Sequence, residues 1–442
     1  MTELGNHGAA GITAADEVEE ICRTLIRFDT SNFGGNDARP ERPAAEYVAE
    51  LMTGGGLAPK IYESSPGRAS GVARMEGTDP SLPALVVHGH LDVVPAQAED
   101  WSVDPFAAEV KDGLIWGRGA VDMKDMDAMI LAVQRQMHRE GVKPQRDLIF
   151  AYFADEEAGG TYGAGWMVEN HPEVFAGAGE AISEVGGFSS TVGGRRAYFL
   201  QTAEKGLHWL TMHAGGRAGH GSQINDENAV TRLAGAISRI GAHEWPIEYT
   251  KTTRALMEGV SELTGIEFDE RNPEPLLDAL GNVSRFVGAT LQNTSNPTAL
   301  KSGYKHNVIP GAAEAFLDCR TLPGRDELLH ETLRELAGAG VDFSTEHSDT
   351  SLEVPFSGSL VDNMVASISA EDPGAVVLPY MLSGGTDNKS LSRLGITGYG
   401  FAPLQLPDEL DFTSMFHGVD ERVPVDALKF GTRVLSRLLR TY

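Results

Sequence analysis

The chain has 442 residues, and its 63 Asp and Glu against 36 Lys and Arg give a formal net charge of −27. Such a surplus repels nucleic acid and anionic membranes, which leaves small molecules as the expected partners. Cys22 and Cys319 are the only cysteines, so a disulfide framework and a thiolate zinc site are excluded, and any metal must be held by His, Asp and Glu. A chain this long outgrows one hydrophobic core, which predicts two domains. The first thirty residues lack a basic segment followed by a continuous apolar one, and no later stretch approaches the length of a membrane span, so a cytoplasmic protein is expected.

In chain order, Val18, Ile21, Cys22, Leu25 and Ile26 fall at helical spacing and predict a helix over 15–28 with Cys22 in its core face. Short apolar runs at 85–88, 148–154 and 181–184 predict strands covered on both faces. Between the first two, Met126, Met129, Ile130, Val133 and Met137 mark one face of a helix that stops near Gly141. This succession is α/β architecture with a largely parallel sheet flanked by helices. From about 199, YFLQTAEKGLHWLTMHAG alternates at period two, as a sheet with one exposed face does. There follow a helix with Ala229, Val230, Leu233, Ile237 and Ile240, a loop-rich stretch over 244–285, and extended segments in GATLQNTS and AEAFLDCR. A helix with Leu329, Leu333 and Leu336 and the segment VDFSTEHS complete a β-α-β-β-α-β order, that of a ferredoxin-like α+β unit. Buried α/β texture resumes from 352 and ends in a helix bearing Leu428, Leu435 and Leu438. The expected division is a large domain in two parts, 1–198 and 351–442, with a smaller domain inserted over 199–350.

The run ALVVHGHLDVVPA at 84–96 carries polar groups into the end of an apolar strand, where unpaired they cost several kcal/mol. His90 and Asp92 point the same way at the strand's C-terminal end, where open α/β sheets place their sites. A carboxylate there fixes an imidazole tautomer and frees the other nitrogen for a metal, although from this motif alone a satisfied core histidine is the commoner reading. His88 faces the other way and is expected in the core. In LIWGRGAVDMKDMDA, glycines deliver Asp122 just before a helix that starts near Asp125; Asp125 and Asp127 fit an N-terminal cap better than Asp122 does. Glu156 and Glu157 emerge together from the strand LIFAYFA, where adjacent carboxylates repel unless a dication lies near; one could then ligate while the other takes a proton from water. Glu184 stands at another strand end, and His417 in SMFHGVDERVP belongs to the returning half of the same domain. Such donors suit two dications about 3.5 Å apart, the arrangement of metal-assisted hydrolysis.

HGHLDVVP, WGRGAVDMK, DEEAGG, the Glu184 segment, GHGS, KHNVIP, DCRTLPG, SGGTD and FHGVDE occur in the order found in the dinuclear zinc peptidase and deacylase family. The sequence resembles that family, which includes glutamate carboxypeptidase, aminoacylase, acetylornithine deacetylase and succinyl-diaminopimelate desuccinylase, over roughly residues 15–440. The resemblance implies a zinc exopeptidase-like catalytic domain with an inserted lid and dimerisation domain. It also implies two Zn2+ per chain, with Co2+ or Mn2+ as substitutes. Asp122 then resembles the carboxylate bridging both ions, with His90 and Glu184 completing one site and Glu157 and His417 the other. Glu156 resembles the general base, Asp92 the carboxylate that orients His90, and His220 the histidine that stabilises the oxyanion, in many relatives across a homodimer interface. Asn307, Arg320, Gly384, Gly385 and Thr386 resemble substrate-binding positions, with Arg320 suited to a free carboxylate.

Glu at position 184, where relatives that act as aminopeptidases or tripeptidases tend to carry Asp, points to a carboxypeptidase or N-acyl-amino-acid hydrolase. The long 244–285 stretch resembles the vacuolar carboxypeptidase and N-acyl-amino-acid hydrolase branch. A small peptide or N-acyl amino acid is the substrate so implied. The alternatives are a dedicated biosynthetic deacylase, such as a desuccinylase or acetylornithine deacetylase, and a metal-binding protein without catalysis.

Overall fold

The run Ala84–His90 is a strand with all 7 residues buried, because it pairs in parallel with Leu148–Phe153 on one side and Ala178–Ser183 on the other. It lies near the middle of a 10-stranded mixed sheet in the computed structural model, which describes residues 11–35 and 37–442. Helix Lys124–Arg139 closes the crossover between Ala84–His90 and Leu148–Phe153. Together with Ala14–Ile26 and the C-terminal Val425–Thr441 it covers one face, burying Leu25, Met129, Val133, Leu435 and Leu438. On the other face Ala164, Met167 and Leu391 pack against Val86, Ile149 and Phe153. Three parallel strands therefore end side by side, and their C-terminal ends carry His90, the Glu156–Glu157 pair and Glu184.

A second sheet has 4 antiparallel strands in the order Thr294–Ser302, Ala312–Thr321, Gly206–Gly215, Val341–Asp349. Helices Ala229–Gly241 and Asp326–Ala337 back one of its faces and enclose a separate core around Leu210, Met212, Leu233, Leu317, Leu329 and Leu333. Its spatial order is that of a ferredoxin-like unit, as the element order predicts. Among the described residues no helix is long and apolar enough to cross a membrane.

Four local expectations change. The alternating stretch from 199 is not one strand: Arg195–Glu204 belongs to the large sheet, paired in parallel with Val376–Leu382, and the chain passes at Lys205 into Gly206–Gly215 of the small one. The stretch 244–285 is substantially helical. Lys251–Thr264 opens on a Thr250 capping box and buries Leu256, Met257 and Val260 in the core of the large sheet. The strand expected in GATLQNTS begins only at Thr294 and runs on to Ser302. Asp125 and Asp127 do not cap: the N-cap of Lys124–Arg139 is Met123 without a side-chain bond, and both carboxyls are buried, Asp127 with both oxygens unpartnered. Burial pushes the Asp125 carboxyl up to about 8 and that of Asp127 well above its ordinary value.

Candidate metal centre and active site

His90 and His417 approach each other through one carboxylate. His90 Nε2 lies 3.2 Å from Asp122 Oδ1, and His417 Nε2 lies 3.3 Å from Asp122 Oδ2. Glu184 Oε2 stands 3.6 Å and Glu156 Oε2 3.9 Å from His90 Nε2, while Glu157 Oε2 is 3.0 Å from His417 Nε2. The six residues thus gather from three strand ends, the loop before Lys124–Arg139 and the loop before Arg422–Pro424. Asp122 lies between a His90–Glu184 side and a His417–Glu157 side.

Polar groups beneath them set the geometry. His90 Nδ1 is 3.0 Å from the main-chain oxygen of Asp92 and 3.5 Å from its Oδ1, so Nδ1–H is the donor and Nε2 is free to ligate. The Asp92 carboxylate accepts the amides of Glu156 at 3.0 Å and Glu157 at 3.1 Å, and the Asn32 carboxamide at 2.8 Å. Asn32 Nδ2 also reaches Asp155 Oδ1 at 3.0 Å, and Asp155 adopts a left-handed φ of 68° while bound by Arg68 at 2.6 Å and the Tyr162 amide at 2.7 Å. A non-glycine residue holds that conformation only when its surroundings over-determine it, and here they aim the next two glutamates.

Charge in the cluster is one-sided. Four carboxylates face two imidazoles; His90, Asp122 and Glu184 are buried, Glu156 and Glu157 partly so, and His417 is exposed. Burial and Glu184 push the Glu156 carboxyl well above the ordinary range; burial, assisted by Asp122, raises Glu184 to about 8. Hydrogen bonds to Asp122 and Glu157 raise His417 to about 11. Burial disfavours a charged His90, yet Glu184, Asp122 and Asp92 carry its pKa well above the ordinary value. The two imidazoles hold the Asp122 carboxyl below its ordinary range, whereas imidazoles drawn toward the proton and three glutamates pushed to keep theirs are the mark of excess buried negative charge. Donors of this kind, two imidazole nitrogens and carboxylate oxygens with no thiolate, fit two divalent cations of the zinc type.

A cleft of about 400 Å³ opens beside the cluster. Its large-sheet side includes Glu156, Glu157, Gly384, Gly385, Thr386, Asp387, Lys389 and His417, and its small-sheet side Leu207, Trp209, Arg320 and Asp349. Thr386 is fixed by Glu204, which accepts its amide at 3.0 Å and its hydroxyl at 2.6 Å. Arg320 lines the cleft while paired with Asp318 through Nε at 2.6 Å and Nη2 at 3.0 Å. His220 and Asn307 are placed elsewhere. His220 lies on the two-stranded ladder Gly219–His220 with Val308–Ile309, Asn307 stands in the exposed turn just before it with its carbonyl accepting the Gly221 amide, and neither lines the cleft.

Sequence reasoning missed Asn32, Glu204, Asp318, Asp387 and Glu421. Asp318, Asp387 and Glu421 stand inside DCR, SGGTD and FHGVDE; those motifs were the available signal. Asn32 and Glu204 carry none, since each meets its partner only through the fold.

Over 453 aligned residues the chain is 25% identical to the N-fatty-acyl-amino acid synthase/hydrolase PM20D1 of Xenopus tropicalis, covering 96% of this chain and 85% of the relative. It is 27% identical to human aminoacylase-1 over 406 residues, 90% of this chain and 89% of that one. Among solved structures, the M20 family metallo-carboxypeptidase Sso-CP2 from Sulfolobus solfataricus superposes with a TM-score of 0.74 at 18% identity, covering 97% and 99% of the two chains. The family model for peptidase family M20/M25/M40 matches residues 86–441, and to that family of peptide- and amide-bond hydrolases the chain belongs.

Proposed function

We propose that this enzyme hydrolyses the amide bond of N-acyl amino acids or small peptides bearing a free carboxylate. The observation that carries this reading is Asp122 set between His90 and His417, with Glu156 beside them at the cleft wall. His90, Asp122 and Glu184 would hold one Zn2+, and Asp122, Glu157 and His417 the other. Two such cations would polarise the scissile carbonyl and acidify water at the site.

The chain's own groups do the rest. Glu156 Oε2 accepts a proton from the attacking water and returns it to the leaving nitrogen, and burial raises its proton affinity, as a general base requires. Arg320, pre-aligned by Asp318, and the Gly384–Thr386 loop receive the substrate and its carboxylate. His220 and Asn307 serve from the inserted domain of a second copy, in which the exposed His220 ring supplies a donor to the oxyanion. The similarity to N-acyl-amino-acid hydrolases supports the acyl branch over a dedicated biosynthetic deacylase. Turnover of N-acetyl amino acids and of dipeptides by purified enzyme, before and after exhaustive chelation, tests the reading. Chelator-sensitive cleavage supports it; cleavage indifferent to chelation overturns it.

A further inference from the structure

The small-sheet wall of the cleft is apolar at one place to which the reaction above gives no part. Leu207 and Trp209 alternate along one strand, so both face the cleft about 7 Å apart. Leu207 is in register with Arg320 and Asp349, and Trp209 with Asp318 and His347. The Asp318 carboxylate that grips Arg320 also accepts Trp209 Nε1 at 3.3 Å. Behind the indole, the His347 ring stands 5.3 Å away, held in turn by Asp349 at 2.9 Å. Trp209 is thus fixed in orientation yet 37% exposed inside a concave site. A large apolar ring held open in this way is a preorganised contact surface.

We propose that Trp209, with Leu207, is the specificity-determining wall that receives the side chain of the substrate's carboxylate-bearing residue, so that aromatic and large aliphatic residues are preferred. The inference rests on the reading that Arg320 binds the substrate carboxylate. A carboxylate on Arg320 leaves the adjacent Cα one strand-residue pair from the indole. A Phe, Tyr, Leu or Met side chain spans that gap; glycine leaves it empty. An acidic side chain there meets Asp318 and Asp349 and is disfavoured by like charge.

The test is kcat/KM for N-acetyl-L-phenylalanine, N-acetyl-L-leucine, N-acetylglycine and N-acetyl-L-aspartate with metal-loaded wild type, Trp209→Ala and Trp209→Phe. Wild type is expected to favour phenylalanine over glycine by about 10- to 100-fold. In Trp209→Ala that ratio falls to within about threefold of unity, with the change in KM, and Trp209→Phe restores most of it. Calorimetric binding of the phenylalanine and glycine compounds to Glu156→Gln, with and without Trp209→Ala, supplies a readout free of turnover. Hydrolysis with no phenylalanine preference, or a preference that survives Trp209→Ala, overturns the wall alone. Selective binding lost in Trp209→Ala without any hydrolysis by wild type supports the wall and overturns the hydrolytic reading.

Discussion

Glu421 cradles the loop that carries Asp122. Its Oε1 accepts the amides of Val121 at 2.7 Å and Asp122 at 3.1 Å, and its Oε2 accepts the Gly119 amide at 3.0 Å and the Arg118 guanidinium at 2.7 Å. Four residues upstream stands His417, so one carboxylate ties both loops that meet at the bridging position. Glu421→Ala would strand three buried amides and a buried guanidinium. We expect a loss of roughly 3–5 kcal/mol in chemical unfolding and metal affinity weaker by about 10- to 100-fold. Unchanged affinity would separate Glu421 from the site.

Glu156→Gln keeps the shape of the side chain and removes its ability to take a proton. The expected outcome is a kcat lower by about 10²- to 10⁴-fold with metal content intact. Elemental analysis beside steady-state kinetics checks both halves, and loss of a metal ion instead would reassign Glu156 as a ligand.

His88 is wholly buried, with Nε2 at 3.0 Å from Asn388 Oδ1 and Nδ1 unpartnered. Burial lowers its pKa to about 4 from an ordinary 6.5. The unfolded chain therefore takes up the proton first, and stability falls as pH drops from 6.5 toward 4. Against His88→Gln, wild type should lose an additional ~2 kcal/mol between pH 7 and 5. Parallel denaturation curves across that range would contradict the assignment of His88 as a neutral core residue.

His220 serving from a second copy predicts complementation. His220→Ala and Glu156→Gln should each be nearly inactive alone, whereas a refolded equimolar mixture should recover about a quarter of wild-type activity by statistical pairing. No recovery in a mixture shown to contain heterodimers would remove His220 from the reaction.

What could be read from the sequence follows from where chemistry meets regular structure. His90, Glu156, Glu157 and Glu184 end apolar runs, so their burden of polar groups stands out against the strand. Lys251–Thr264 was missed: Leu256, Met257 and Val260 stand at helical spacing behind Thr250, but the surrounding polar residues made the stretch read as loop. Lys205 illustrates the reverse: period-two alternation runs straight through it, and only the pairing partners reveal two sheets. Asn32 and Glu204 were illegible because each is a single polar residue whose partners lie far along the chain, at Asp92 and Asp155 and at Thr386. Asp125 and Asp127 misled because acidic residues in a first helical turn ordinarily cap or face solvent, and here that turn is buried.

Whether Asp122 joins two metal sites is tested most directly by the metal content of purified wild type and of Asp122→Asn, measured by elemental analysis after dialysis against trace Zn2+. About two ions per wild-type chain are expected, with loss of at least one in Asp122→Asn, because a neutral carboxamide cannot serve both sides of the cluster. Full occupancy in Asp122→Asn, or a wild-type chain that holds no metal, would contradict that role of Asp122.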